Sequence, residues 1–137
     1  MEQLKVTLLQ AYLFWENAAK NLQNISLKLS DIRERTDLIV LPEMFNTGFT
    51  MNAVENAEKM DGKTVSWMRD TAKKFNAVIT GSLIIEENSN FYNRMVWMRP
   101  DGSYETYDKK HLFGLAEEDK TYTAGHKQVV VELKGWK

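Results

Sequence analysis

Leu38-Ile39-Val40-Leu41-Pro42-Glu43 is an apolar run with no polar interruption, closed by a proline and an acid. Four consecutive aliphatic residues show no alternation, which predicts a short strand buried on both faces, as in an α/β arrangement. Pro42 cannot donate to a ladder and ends the strand. Glu43 then falls at a sheet edge, where open α/β folds bind their ligands.

The flanking chain fits this reading. Upstream, Leu4 to Leu9 is rich in alternating and β-branched apolar residues and predicts an opening strand. From Trp15 to Ile32 the positions Trp15, Ala18, Ala19, Leu22, Ile25, Leu29 and Ile32 recur at helical spacing, an amphipathic helix for one face of the sheet. Downstream, Asn46 to Met60 has no clear period and reads as a long loop of the kind that lines a site. Asp61 is a candidate cap for a helix whose stripe is Val65, Met68, Ala72 and Phe75. Ala77 to Ile85 and Tyr92 to Met98 predict strands around a polar loop, Glu86 to Asn90. Arg99-Pro100-Asp101-Gly102 is a turn leading to a hairpin partner at Ser103 to Tyr107, and Gln128 to Leu133 predicts a last strand. Alternating βα units followed by antiparallel strands argue for one α/β layered domain.

Composition narrows the function classes. A hydrophobic fraction of 43% with 27% charged residues is that of an ordinary globular chain. A formal net charge of −1, with acids and bases interspersed, offers no field for nucleic acid or an anionic membrane surface. No apolar run approaches the roughly 18 residues of a bilayer span, and no secretory pattern opens the chain, so a cytoplasmic location is expected. With no cysteine there is neither disulfide nor thiolate metal site, and His111 and His126 are too few for a histidine cluster; no metal or organic cofactor is expected.

Two charged positions stand at ends of expected strands. Glu43 is placed for general-base work, or is simply a solvated or capping acid. Lys109, beside Lys110 and His111, is suited to stabilising a developing oxyanion, or is one of the basic residues that commonly close a surface strand. His111 precedes Leu112 and Phe113 and reads equally as a packing residue or a titrating one.

Taken together, Leu41-Pro42-Glu43-Met44-Phe45 with Asn46-Thr47-Gly48-Phe49, followed by Tyr107-Asp108-Lys109-Lys110-His111-Leu112-Phe113, resembles the N-terminal half of the carbon–nitrogen hydrolase (nitrilase) superfamily, especially its omega-amidase-like branch. The resemblance runs on through Tyr92-Asn93, Pro100-Asp101-Gly102 and the Glu117-Glu118 to Gly125 loop, and covers essentially the whole chain. It implies half of an αββα sandwich, a mixed sheet with covering helices, in a single partial domain over residues 1–137. It also implies Glu43 as general base and Lys109, two residues before His111, as the lysine. Glu118 matches the second glutamate that orients the lysine, with Glu117 beside it as the alternative.

The reaction implied is acyl transfer through a cysteine. Glu43 takes the thiol proton, the thiolate attacks the carbon of a small linear amide, Lys109 stabilises the oxyanion, and ammonia leaves before water is activated. In the family the cysteine follows a turn like Lys134-Gly135-Trp136-Lys137, on which this chain ends. The expectation is therefore a fragment that is inactive alone and whose intact form is a homo-oligomer, commonly a dimer. The alternatives are a non-catalytic binding or association module, or a nitrilase, carbamoylase or acyltransferase reaction.

Overall fold

A computed structural model of the chain describes residues 3–137. Its strands are β1 (Val6–Leu8), β2 (Leu38–Val40), β3 (Val78–Glu87), β4 (Asn90–Met98) and β5 (Tyr104–Asp108). Helices α1 (Ala18–Leu29), α2 (Ala53–Asn56), α3 (Lys63–Phe75) and α4 (Glu118–Thr121) lie between and after them, with a 3₁₀ turn at Gly114–Ala116. The strands form one mixed sheet in the order β1-β2-β3-β4-β5, parallel from β1 to β3 and antiparallel from β3 to β5. No helix among the described residues is long and apolar enough to cross a membrane.

The apolar periodicities meet on one side of the sheet. Ile39, Ile79, Leu83, Ile85, Val96 and Met98 pack under Ile25 and Leu29 of α1 and Val65, Met68 and Ala72 of α3. The two helices are joined at their surface by a hydrogen bond from the Trp67 indole to Ser26 Oγ, 2.9 Å. Helix α1 starts later than its apolar stripe suggests. Glu16 adopts a positive φ of 50°, and Asn17 caps the helix by accepting from Lys20 N. Asp61 does not cap α3: the N-cap is Gly62, and Glu58 Oε1 accepts from Thr64 N at 3.1 Å instead. The polar segment expected as a loop over 86–90 shrinks to Asn88 and Ser89, both at positive φ, because a two-residue turn matches the twist of the paired strands. Within the long loop, Ala53–Asn56 forms a single helical turn.

The strand expected over 128–133 does not form. Among the described residues this run has no ladder partner, only a bridge between Leu133 and Trp136 that closes a turn. Val129 and Val131 instead line an apolar cavity of about 260 Å³ together with Met95 and Trp97. Among the described residues β5 therefore remains a sheet edge.

The opposite face of the sheet follows from the register. Leu8, Val40, Thr80 and Trp97 lie in one row across it, with Ser82, Met95 and Tyr107 in the next. No described helix of the core cluster covers this side, and Leu8, Val6 and Met95 are 76%, 45% and 45% exposed. A broad apolar surface and unpaired edges favour association. The 137-residue chain in solution is expected to self-associate as its concentration rises and to bind an apolar dye, as sedimentation velocity and fluorescence would measure. A dye-silent monomer at every concentration would contradict this.

Candidate active site

Glu43 owes its place to β3. Leu41 N donates to Thr80 O at 2.8 Å, continuing the ladder past Val40, and the chain then turns across β3. Met44 N donates to Ser82 Oγ at 2.9 Å and Phe45 N to Ser82 O at 3.2 Å. Gly81 makes the crossing possible, since a Cβ there would stand 2.8 Å from Phe45 Cδ1 and 2.9 Å from Leu41 Cβ. Both neighbours are buried and neither can retreat. The turn leaves the Glu43 side chain half-exposed at the end of β2, on the less covered side of the sheet.

Lys109 follows β5 directly and is fixed through its backbone. Its N–H donates to Asn93 O at 3.0 Å and its carbonyl accepts from Gly125 N at 3.1 Å. Gly125 passes so close to the Asp108 carbonyl that no side chain fits there. Asp108, on the other side of β5, receives a bidentate fork from the buried Arg94, with Nε to Oδ1 at 2.6 Å and Nη2 to Oδ2 at 3.0 Å. Arg94 also binds Glu87, and the two carboxylates hold the guanidinium well above its ordinary range against the opposing effect of burial.

Glu118 opens α4 and is fully buried. Its Oε2 accepts from Phe113 N at 2.6 Å and from Lys109 Nζ at 2.9 Å, and its Oε1 from Asn93 Nδ2 at 3.0 Å. Burial pushes this carboxyl up, but the donors from Phe113, Asn93 and Lys109 outweigh it and hold the group below the usual glutamate value. Lys109 is shifted the other way. Burial lowers it, while Glu118 and Glu43 raise it further, so the ammonium is held charged.

The three residues singled out in the sequence thus converge. Lys109 Nζ lies 2.9 Å from Glu43 Oε1 and 2.9 Å from Glu118 Oε2. Glu117, the alternative, is exposed, adopts a φ of 59° and pairs with Lys120. Lys110 is also exposed, and its backbone N–H donates to the Tyr107 hydroxyl. The sequence reading missed Asn93, whose carboxamide nitrogen also donates to Glu43 Oε1 at 2.8 Å. Its signal was an asparagine inside an otherwise strand-forming run, a residue type depleted from strands unless its side chain has a specific partner.

Two cavities meet at this cluster. One of about 240 Å³ lies over the sheet, between Glu43, Asn93 and Lys109 on one side and Leu41, Met95 and Tyr107 on the other. The second, about 460 Å³ and more open, is bounded by Glu43, Phe49, Lys109, His111, Leu112 and Phe113. Lys109 Nζ stands 5.3 Å from the centre of the Phe49 ring, so an aromatic face helps shield the ammonium. The loop carrying Phe49 is tied to α4 by the buried Tyr122, whose hydroxyl donates to Thr50 O at 2.6 Å. The site can hold a fixed carboxylate beside a fixed ammonium at the mouth of a small, partly apolar cleft.

A carbon-nitrogen hydrolase family model matches residues 5–137. The whole chain aligns with an omega-amidase, YafV, of Yersinia enterocolitica at 43% identity, covering 53% of that protein. A 2-oxoglutaramate amidase of Bacillus subtilis is 29% identical over 96% of the chain and 52% of its own length. Among solved structures, XC1258 of Xanthomonas campestris, a CN-hydrolase superfamily protein with an arsenic adduct in its active site, superposes with a TM-score of 0.95 and 39% identity. That match covers 99% of this chain and 51% of XC1258. Nit3 of Saccharomyces cerevisiae, at 24% identity and a TM-score of 0.79, shares the fold. The chain spans about half the length of the curated relatives it matches.

Two outcomes follow from the charge arrangement. Lys109→Ala leaves the Glu118 carboxylate buried without a counter-charge and is expected to destabilise the fold by about 3 kcal/mol, as denaturant unfolding would measure. Because the folded Glu118 carboxyl lies below its ordinary value near 4.5, its contribution is complete above that pH and is lost as pH falls through the depressed folded value. Glu118→Gln should flatten that acid limb of a Tm-against-pH curve. Gly81→Ala, in turn, should cost about 2 kcal/mol by overpacking against Leu41 and Phe45.

Proposed function

The chain belongs to the carbon-nitrogen hydrolase family, and from that premise we propose that Glu43, Lys109 and Glu118 form the acid–base part of an amidase site acting on a small linear amide. The observation that carries this reading is the single ammonium of Lys109 held 2.9 Å from each of two carboxylates at the mouth of a cleft. The omega-amidase and 2-oxoglutaramate amidase relatives favour an omega-amide, releasing ammonia, over a nitrile or carbamoyl substrate.

The roles divide by environment. Glu43, half-exposed at the cleft, is the general base. It takes the proton of an attacking thiol, delivers it to the amide nitrogen so that ammonia can leave, then takes a proton from the water that hydrolyses the thioester and returns it to the departing thiolate. Lys109, held charged, stabilises the oxyanion as the amide carbon becomes tetrahedral. Glu118 is buried and fully engaged, so it orients the lysine and does not meet substrate. The thiol is supplied from outside these 137 residues, which contain no cysteine. A lone glutamate and lysine give no covalent route, so the chain by itself is inactive.

A second reading follows from the apolar sheet face with its exposed Leu8 and Met95: a non-catalytic module that acts by associating with another polypeptide. One assay separates the two. The chain alone is expected to release no ammonia from an omega-amide. A polypeptide that carries these residues and continues into a cysteine-bearing segment is expected to turn over, losing about 100- to 10,000-fold in kcat/KM on Glu43→Ala or Lys109→Ala. Lys110→Ala should leave the rate unchanged. Stoichiometric ammonia release by the chain alone, or equal losses at Lys109 and Lys110, would contradict the assignment.

A further inference from the structure

We propose that Asn93 is a positioning residue for Glu43, its one carboxamide nitrogen bridging the two carboxylates so that Glu43 keeps a single orientation with Oε2 open to the cleft. The inference rests on the reading of Glu43 as general base and extends it to what makes that base effective.

The first argument is the charge count. Glu43 and Glu118 share one ammonium, which leaves one negative charge in excess in a partly buried cluster. A second cation would neutralise the base, so the extra stabilisation has to come from neutral donors. Asn93 supplies two at once, from Nδ2 to Glu43 Oε1 at 2.8 Å and to Glu118 Oε1 at 3.0 Å. Ionised carboxylates accept and never donate, so only the NH₂ end of the amide can face them, and its orientation is determined.

The second argument concerns atoms. Lys109 and Asn93 both donate to Oε1 of Glu43, and among the described residues no side chain or backbone donor reaches Oε2. One oxygen is saturated and the other is left for proton transfer. Lys109 alone, a single donor to one oxygen of a half-exposed carboxylate, would allow Glu43 to swing about that contact. Two donors of fixed separation do not.

The third argument is rigidity. Asn93 is 2% exposed and sits inside a nine-residue strand opposite Ile84. Its carbonyl accepts from Lys109 N, so the same residue also sets the height of the lysine's backbone. Serine or threonine at this position would offer one donor. Aspartate, of nearly the same shape, would offer none and add a third negative charge.

The test is carboxyl and side-chain amide NMR on the 137-residue chain, with Asn93→Ala and the neutral, nearly isosteric Asn93→Leu. In the wild type, the Asn93 NH₂ protons should exchange with water more slowly than those of exposed Asn88, and Glu43 should show χ1 couplings of a single rotamer. In both variants the Glu118 titration midpoint should rise by about one pH unit, the low end for a lost charged hydrogen bond, and the Glu43 couplings should average. If Asn93 only fills space, the neutral and nearly isosteric Asn93→Leu will keep both readouts at wild-type values, which overturns the proposal. If the variants do not fold, wild-type exchange decides, and rates equal to those of Asn88 also overturn it. None of these signals depends on turnover, so failure of the bridge and failure of Glu43 as base are separately visible.

Discussion

One lysine ammonium between two glutamates is the constraint around which the described structure is arranged. A carboxylate as buried as Glu118 is unfavourable unless it is paired and hydrogen-bonded, and a second carboxylate a few ångströms away would make it worse. Lys109 resolves both problems with two contacts of equal length, and Phe113 N and Asn93 Nδ2 satisfy the remaining acceptor sites of Glu118. The result is an electrostatically closed unit on one side and an accessible glutamate on the other. That asymmetry, one acid buried and saturated and one half-exposed, is the basis for proposing different roles for two chemically identical side chains.

The surrounding fold can be read as the means of holding three chain segments at that point. Gly81 lets the segment after β2 lie flat on β3 and delivers Glu43. The Arg94 fork on Asp108 clamps β4 to β5 on the helix-covered face and the backbone bond from Lys109 N to Asn93 O ties the two strands just beyond it, so the strand end carrying the lysine is held by both. Tyr122 ties α4 to the loop that carries Phe49. Each contact is an ordinary one, and together they leave the ammonium little freedom, which is what a preorganised electrostatic site requires.

Much of this was legible in the residues. The uninterrupted run Leu38 to Leu41 marked an interior strand and Pro42 its end, and β2 stops at Val40 with Leu41 still bonded to Thr80. The hairpin turn at Arg99 to Gly102 closes as its composition suggested, Gly102 at a φ of 86°. The resemblance pointed to Lys109 over Lys110 and to Glu118 with Glu117 left open as the alternative, and the geometry brings Glu43, Lys109 and Glu118 together. What stayed hidden depends on three-dimensional neighbours. Val129 and Val131 have the pattern of a strand, yet they form none and border a cavity with Met95 and Trp97, an outcome that local sequence does not encode. Likewise Asp61 has the chemistry of a cap, but Glu58 reaches the helix N-terminus first. Asn93 stood in the resemblance without a role, because its role lies in two acceptors 50 residues upstream and 25 downstream.

The most direct test of the central claim is nitrogen-detected NMR of the Lys109 side chain. A lysine held between two carboxylates predicts a resolved ammonium signal, protected from solvent exchange, still charged above the ordinary lysine value of 10.5, with couplings or close contacts to both Glu43 and Glu118. A rapidly exchanging signal like that of a free surface lysine, or contact to only one of the two glutamates, would contradict it.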